Sequence, residues 1–122
     1  MPLPQTLAPA PSTPNCVYSG ADPSDTQHAI EPIRYTGDAD AVWARLNEVV
    51  LAMPRARLAD EGTDYRHYVF TTALMRFKDD VQFQLDRDES VIHFRSASRV
   101  GRSDFGVNRR RMEAIRAAIT PE

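Results

Sequence analysis

Hydrophobic and polar positions alternate most cleanly between residues 81 and 94. Val81, Phe83 and Leu85 alternate with Gln82, Gln84 and Asp86, and Ile92 and Phe94 resume the apolar side after a charged stretch at residues 86–89. A period of two marks strands with one face on a core, and here it predicts a hairpin whose other face is wet. Residues 65–72, rich in aromatic and β-branched side chains, predict a third strand. Residues 56–60 predict a fourth, joined to it by a turn at Glu61-Gly62-Thr63-Asp64. Residues 28–35 offer a further strand, broken by Pro32 and therefore expected at an edge.

Twice the period becomes helical. Asp38 suits an N-cap, and Val42, Leu46, Val49, Val50 and Met53 then form one stripe, widened by Trp43 and stopped by Pro54. From about Val107, the residues Val107, Met112, Ile115 and Ile119 form a second stripe. Short connections between the middle strands require an antiparallel meander, and two amphipathic helices need a common face to cover. The expected fold is a two-layer α+β domain. It has four to five antiparallel strands, two helices on one face, and the order β-α-β-β-β-β-α. Residues 1–15, proline-rich and nearly uncharged, are expected as a flexible arm ahead of a single domain over residues 16–120.

Composition narrows the picture. A net charge of −2 gives no global attraction to nucleic acid, which is not expected as a partner, or to an anionic membrane. Cys16 is the sole cysteine, so an intrachain disulfide and a cysteine-rich zinc site are excluded, and its place at the arm gives it no activating base. There is no apolar run of the roughly 18 residues that would span a bilayer. No secretory leader is recognisable, and Thr13-Pro14-Asn15 is not the small-residue context of a lipoprotein cleavage site. The chain as written reads as cytoplasmic.

The charges are uneven. Residues 95–116 hold Arg95, Arg99, Arg102, Arg109, Arg110, Arg111 and Arg116 against Asp104 and Glu113, while Lys78 is the sole lysine. Asp79-Asp80 opens one strand of the hairpin and Arg95 to Arg99 closes its neighbour, so these ends meet and a carboxylate can take a bidentate arginine fork. One reading is an arginine-lined anion pocket in which Asp80 orients the arginines. The plainer reading is a salt-bridge network that locks the sheet to the last helix.

The elbow that follows carries Gly101 and Gly106, and Ser103 or Asp104 can cap the next helix. With Arg99, Arg102 and Arg109 close by, the free N–H groups of that helix start suit a phosphate or carboxylate. The residues expected to converge on an anionic ligand are Asp80, Arg95, Ser96, Ser98, Arg99, Arg102, Asp104, Asn108 and Arg109. Arg109, Arg110 and Arg111 point in three directions on a helix and read as a solvated face. His28, His67 and His93 lie on three segments without metal-ligand spacing, so neither a metal nor a cofactor is expected. Ser96 and Ser98 lack a nucleophile-elbow context.

Three other functions remain open at this level. An enzyme would use Asp79 or Asp80 as general base, with arginines stabilising an oxyanion. A hydrophobic-ligand binder would enclose a cavity between sheet and helix lined by Tyr68, Phe70, Phe83 and Phe94, although in so small a domain these rings are better placed as core. An assembly protein would dock its proline-rich arm on a partner.

Several blocks are recognisable together: Pro14-Asn15-Cys16-Val17, the strand over residues 28–35, Phe77-x-Asp79-Asp80-Val81, and Arg95-Ser96-Ala97-Ser98-Arg99-Val100-Gly101-x-Ser103-Asp104-Phe105-Gly106-Val107-Asn108-Arg109-x-Arg111. Over nearly all of the chain from Pro14 onward they resemble the family called domain of unknown function 1499, with Tyr18 standing where small residues are usual. The resemblance implies no activity, cofactor or catalytic residue. Many relatives look like exported or lipid-anchored bacterial proteins and some like plastid ones, so the resemblance leaves open an exported form whose leader is missing here.

Overall fold

The computed structural model describes residues 7–8, 10–11, 13, 15–73, 76–100 and 106–119. The first helix, α1 (Ala39–Leu51), starts where the sequence predicts: the Asp38 carboxylate accepts from the Ala41 N–H at 3.2 Å. Trp43, Leu46 and Val50 are its buried residues, with Val42, Val49 and Met53 packed at the margin of the core. The second helix, α2 (Val107–Ile119), buries Met112 and Ile115. Val107, expected on that stripe, is instead exposed, and Asn108 takes the buried position beside it. An amide can do so because its hydrogen bonds are met inside, as described below.

Six antiparallel strands form the sheet: β1 (Cys16–Tyr18), β2 (Ile33–Arg34), β3 (Ala56–Gly62), β4 (Tyr65–Thr71), β5 (Lys78–Asp86) and β6 (Val91–Ser98). Their order is β1-β6-β5-β4-β3, with β2 also on β6. This is the expected α+β fold with one short strand more at the front. β1 pairs with Arg95 to Ala97 and β2 with Val91 and Ile92, so two short strands share one edge of β6. The strand expected over residues 28–35 shrinks to Ile33–Arg34, and Cys16, expected in the arm, is wholly buried in β1.

Both long hairpins turn where charged and small residues cluster. β3 and β4 turn through Thr63 and Asp64, the latter at φ 54°. Between β5 and β6 the Asp86 carboxylate accepts from the Asp88 and Glu89 N–H groups at 3.1 and 3.0 Å, which folds the turn back locally. A bulge between Leu58 and Asp60 interrupts β3 on the open edge.

Register assigns each side chain to a face. Leu58, Tyr68, Val81, Ser96 and Val17 lie in one row, and Phe83 and Phe94 in the next, under the two helices. Tyr68 and Phe83 meet edge-on at 5.7 Å between centroids, and Phe83 and Phe94 lie at 6.5 Å. These rings fill the core. The opposite face carries Tyr65, His67, Val69, Asp80, Gln82, Arg95 and Ala97. It is not the wet face that alternation predicts: Tyr65, Val69 and Gln82 are each 1% exposed. Of the polar residues there, His67 is bonded to Asp80 and Gln82 to Tyr65.

The segment between β1 and β2 is anchored by His28. Its Nδ1 lies 2.7 Å from an Asp25 carboxylate oxygen and its Nε2 2.7 Å from the Thr13 carbonyl. Burial alone would lower the His28 pKa, but the Thr13 carbonyl and the Asp25 carboxylate outweigh it and the net shift is upward. A raised folded pKa stabilises the fold fully below the unfolded value of about 6.5 and loses that contribution as pH rises through the folded value. The expected result is a gap in melting temperature between wild type and His28→Ala that is widest in mildly acidic buffer and narrows on the alkaline side. A gap independent of pH between about 5 and 9 would exclude a charged His28 in the folded protein.

Candidate functional site

Asp79 and Asp80 are adjacent in β5, so their side chains leave opposite faces of the sheet. Asp79 faces the helices. One of its oxygens lies 2.6 Å from Arg111 Nη2 in α2, and both side chains are nearly closed to solvent. Arg111 also donates to Asn108 Oδ1 at 2.7 Å and Ser96 Oγ at 3.2 Å, and its guanidinium lies 4.6 Å from the centroid of the Phe70 ring. The Ser96 hydroxyl donates to Asn108 Oδ1 at 2.6 Å, and Asn108 Nδ2 donates to Ser98 Oγ at 3.0 Å and to the Asn15 carbonyl at 3.2 Å. This network ties the first turn of α2 to β5, β6 and the start of β1.

Asp80 faces the other side. Arg99 grips it with two donors, Nε to Oδ2 and Nη2 to Oδ1, both at 2.8 Å, and His67 Nε2 lies 2.7 Å from Oδ1. Burial pushes the Asp80 carboxyl upward, but the hydrogen bonds from His67 and Arg99, and the charge on Arg99, hold it well below the usual carboxylate range. In the neighbouring row, Gln82 Nε2 donates to the Tyr65 hydroxyl at 2.8 Å, and burial raises the Tyr65 pKa. Arg95 lies directly across from Gln82. Its Nε is shut away from solvent and has no hydrogen-bond partner among the described residues.

The residues expected to converge therefore divide. Ser96, Ser98 and Asn108 belong to the network under α2, whereas Asp80, Arg95 and Arg99 share the helix-free face. Arg109 lies apart, its Nη2 reaching the Gln27 carbonyl at 3.4 Å along a groove with Ser19, Glu31 and Arg116. Arg102 and Asp104 lie outside the described residues. Arg111, expected on a solvated helix face, is instead buried against Asp79.

Sequence reasoning missed His67, Tyr65, Gln82 and Arg111 as partners. Carrying the alternation of β5 into β4 and β6 finds the first three, since positions 65, 67, 80, 82, 95 and 99 then fall on one face. The helical repeat finds Arg111, one turn from buried Asn108 and Ile115. The three histidines have separate partners: Asp80 for His67, Asp25 for His28, and Ser19, at 3.3 Å, for His93.

These features define an α+β domain with two helices on one face of an antiparallel sheet and a buried polar cluster on the other. The chain belongs to the family described as Protein of unknown function (DUF1499), whose model matches residues 6–119. No curated protein and no solved structure matches it. No helix among the described residues is long and apolar enough to cross a membrane.

Proposed function

We propose that the domain is a binding module that takes a small anionic group on the helix-free face of its sheet, with Arg95 as the anchor. The observation that carries this reading is the Arg95 guanidinium: its Nε is buried without a partner among the described residues. Buried donors are nearly always matched, and a planar fork is matched best by a carboxylate or phosphate. Alternation puts Arg95 and Arg99 on the same face, with the small side chain of Ala97 between them. Asp80 fixes the Arg99 fork in place, so one side of a seat is already ordered.

The alternative of a general base at Asp79 or Asp80 is less well supported. A carboxyl held far below its usual range is a poor proton acceptor near neutral pH, and Asp79 is enclosed against Arg111.

Thermal unfolding in the presence of phosphate, sulfate or succinate tests the reading. Wild type is expected to gain stability with at least one of them, by about 2.7 kcal/mol at a hundredfold excess over Kd. Arg95→Met is expected to lose that response while melting at or above wild type in anion-free buffer, because an unmatched buried donor has been removed. The reading fails if none of these anions shifts the wild type, or if Arg95→Met responds as wild type does.

A further inference from the structure

The two ends of the sheet carry opposite charge, which the small net charge conceals. At one end, where α1 begins and the β3–β4 and β5–β6 turns lie, stand Asp38, Asp40, Asp64, Asp86, Asp88 and Glu89. Arg87 is held there between Asp40, at 2.8 Å, and Asp64, at 3.0 Å. At the opposite end Arg55, Arg57, Arg76 and Lys78 line one open depression with Ala56 and Thr71. All four cations are exposed, and none forms an ion pair among the described residues. Arg55 donates to the Thr71 carbonyl at 3.0 Å and Lys78 to the Thr71 hydroxyl at 3.2 Å, which holds both at the depression.

The same end carries the exposed large hydrophobic residues. Leu51 is 45% exposed, Phe77 44%, Val100 51% and Val107 36%. Leu51 ends α1, Phe77 precedes β5, Val100 follows β6 and Val107 opens α2, so all four lie where these elements meet the cationic end. The Arg99 N–H donates to the Lys78 carbonyl at 3.0 Å, which brings Val100 alongside Phe77.

We infer that this end docks on an anionic lipid bilayer. Arg55, Arg57, Arg76 and Lys78 meet the headgroups, and Phe77, Val100 and their neighbours enter the boundary between headgroups and acyl chains. A soluble phosphate needs the cations but has no use for the apolar side chains around them. A bilayer surface uses both, and attraction at one pole with repulsion at the other sets a single orientation. In that orientation the acidic turns point away from the membrane.

Vesicle flotation tests the inference, with vesicles of phosphatidylglycerol and phosphatidylcholine in equal parts against phosphatidylcholine alone. Wild type is expected to float with the anionic vesicles, not with the neutral ones, and to be released by salt near 1 M, where the screening length falls to about 3 Å. The triple variant Arg55→Glu/Arg57→Glu/Arg76→Glu is expected to bind at least about a hundredfold more weakly, from roughly fivefold for each cation lost, with repulsion by the added carboxylates on top. Phe77→Ser is expected to weaken binding several-fold while keeping the salt dependence. These side chains are exposed, so the variants are expected to melt near wild type. Wild type that does not float with anionic vesicles, or a triple variant that floats as well as wild type, overturns the inference. A melting-temperature rise with pyrophosphate and no flotation also overturns it, and gives the depression to a soluble phosphate.

Discussion

Replacing Arg111 with methionine is expected to cost about 3–5 kcal/mol, because it strands the Asp79 carboxylate in a nearly dry site. Both partners are almost closed to solvent, with 3% of the Asp79 side chain and 9% of Arg111 exposed. The arginine satisfies more than the carboxylate, since it also donates to Asn108 and Ser96 and covers the Phe70 ring. Methionine keeps much of the apolar bulk against that ring, so most of the loss is electrostatic. The double variant Asp79→Leu/Arg111→Met is expected to recover most of the stability, because an apolar pair of similar volume replaces a buried ion pair nearly without penalty. Chemical denaturation of both variants checks this. A single-variant loss under about 1 kcal/mol would mean that water reaches the pair and that the network does not hold α2 in place.

Phe83→Ala is expected to destabilise by about 3–5 kcal/mol, the range for removing a large aromatic from a close-packed interior. Phe83 is wholly buried and lies between Tyr68 and Phe94 under both helices. The measurement also separates two views of the space between sheet and helices. If that space were a natural pocket for a hydrophobic ligand, its lining would already lack partner atoms on one side, and the loss would be smaller. If it is core, the substitution creates an apolar void that benzene can fill, with partial recovery of the melting temperature. The second outcome is expected, because Tyr68 and Phe94 are also fully buried.

Much of this architecture was legible in the residues. Asp38 and the stripe after it gave α1, and alternation with charged turns gave both long hairpins. Pairing the start of β5 with the end of β6 brought Asp80 to Arg99. The misses have physical causes. β1 and β2 are three and two residues long, too short to show a period, and they exist because β6 offers them an edge. The far face read as wet because Gln82, Gln84 and Asp86 are polar. Polarity indicates a need for partners, and here Tyr65 meets that need for Gln82, and His67 and Arg99 for Asp80, in place of water. Arg111 read as surface for the same reason. The candidate site was half visible: Asp80, Arg95 and Arg99 were among the expected residues, but Gln82 and the β4 members Tyr65 and His67 required a register that composition does not give.

The opposed aspartates of β5 have a consequence for folding. If the strand slipped by one residue in one direction, Asp80 would meet Arg111 and Val81 would face His67 and Arg99. In the other direction, Lys78 would be driven against Arg111. Either slip also turns Phe83 out of the core and brings a glutamine into it. Two neighbouring carboxylates with partners on opposite faces thus act as a two-sided key, and only one alignment of the central strand turns it.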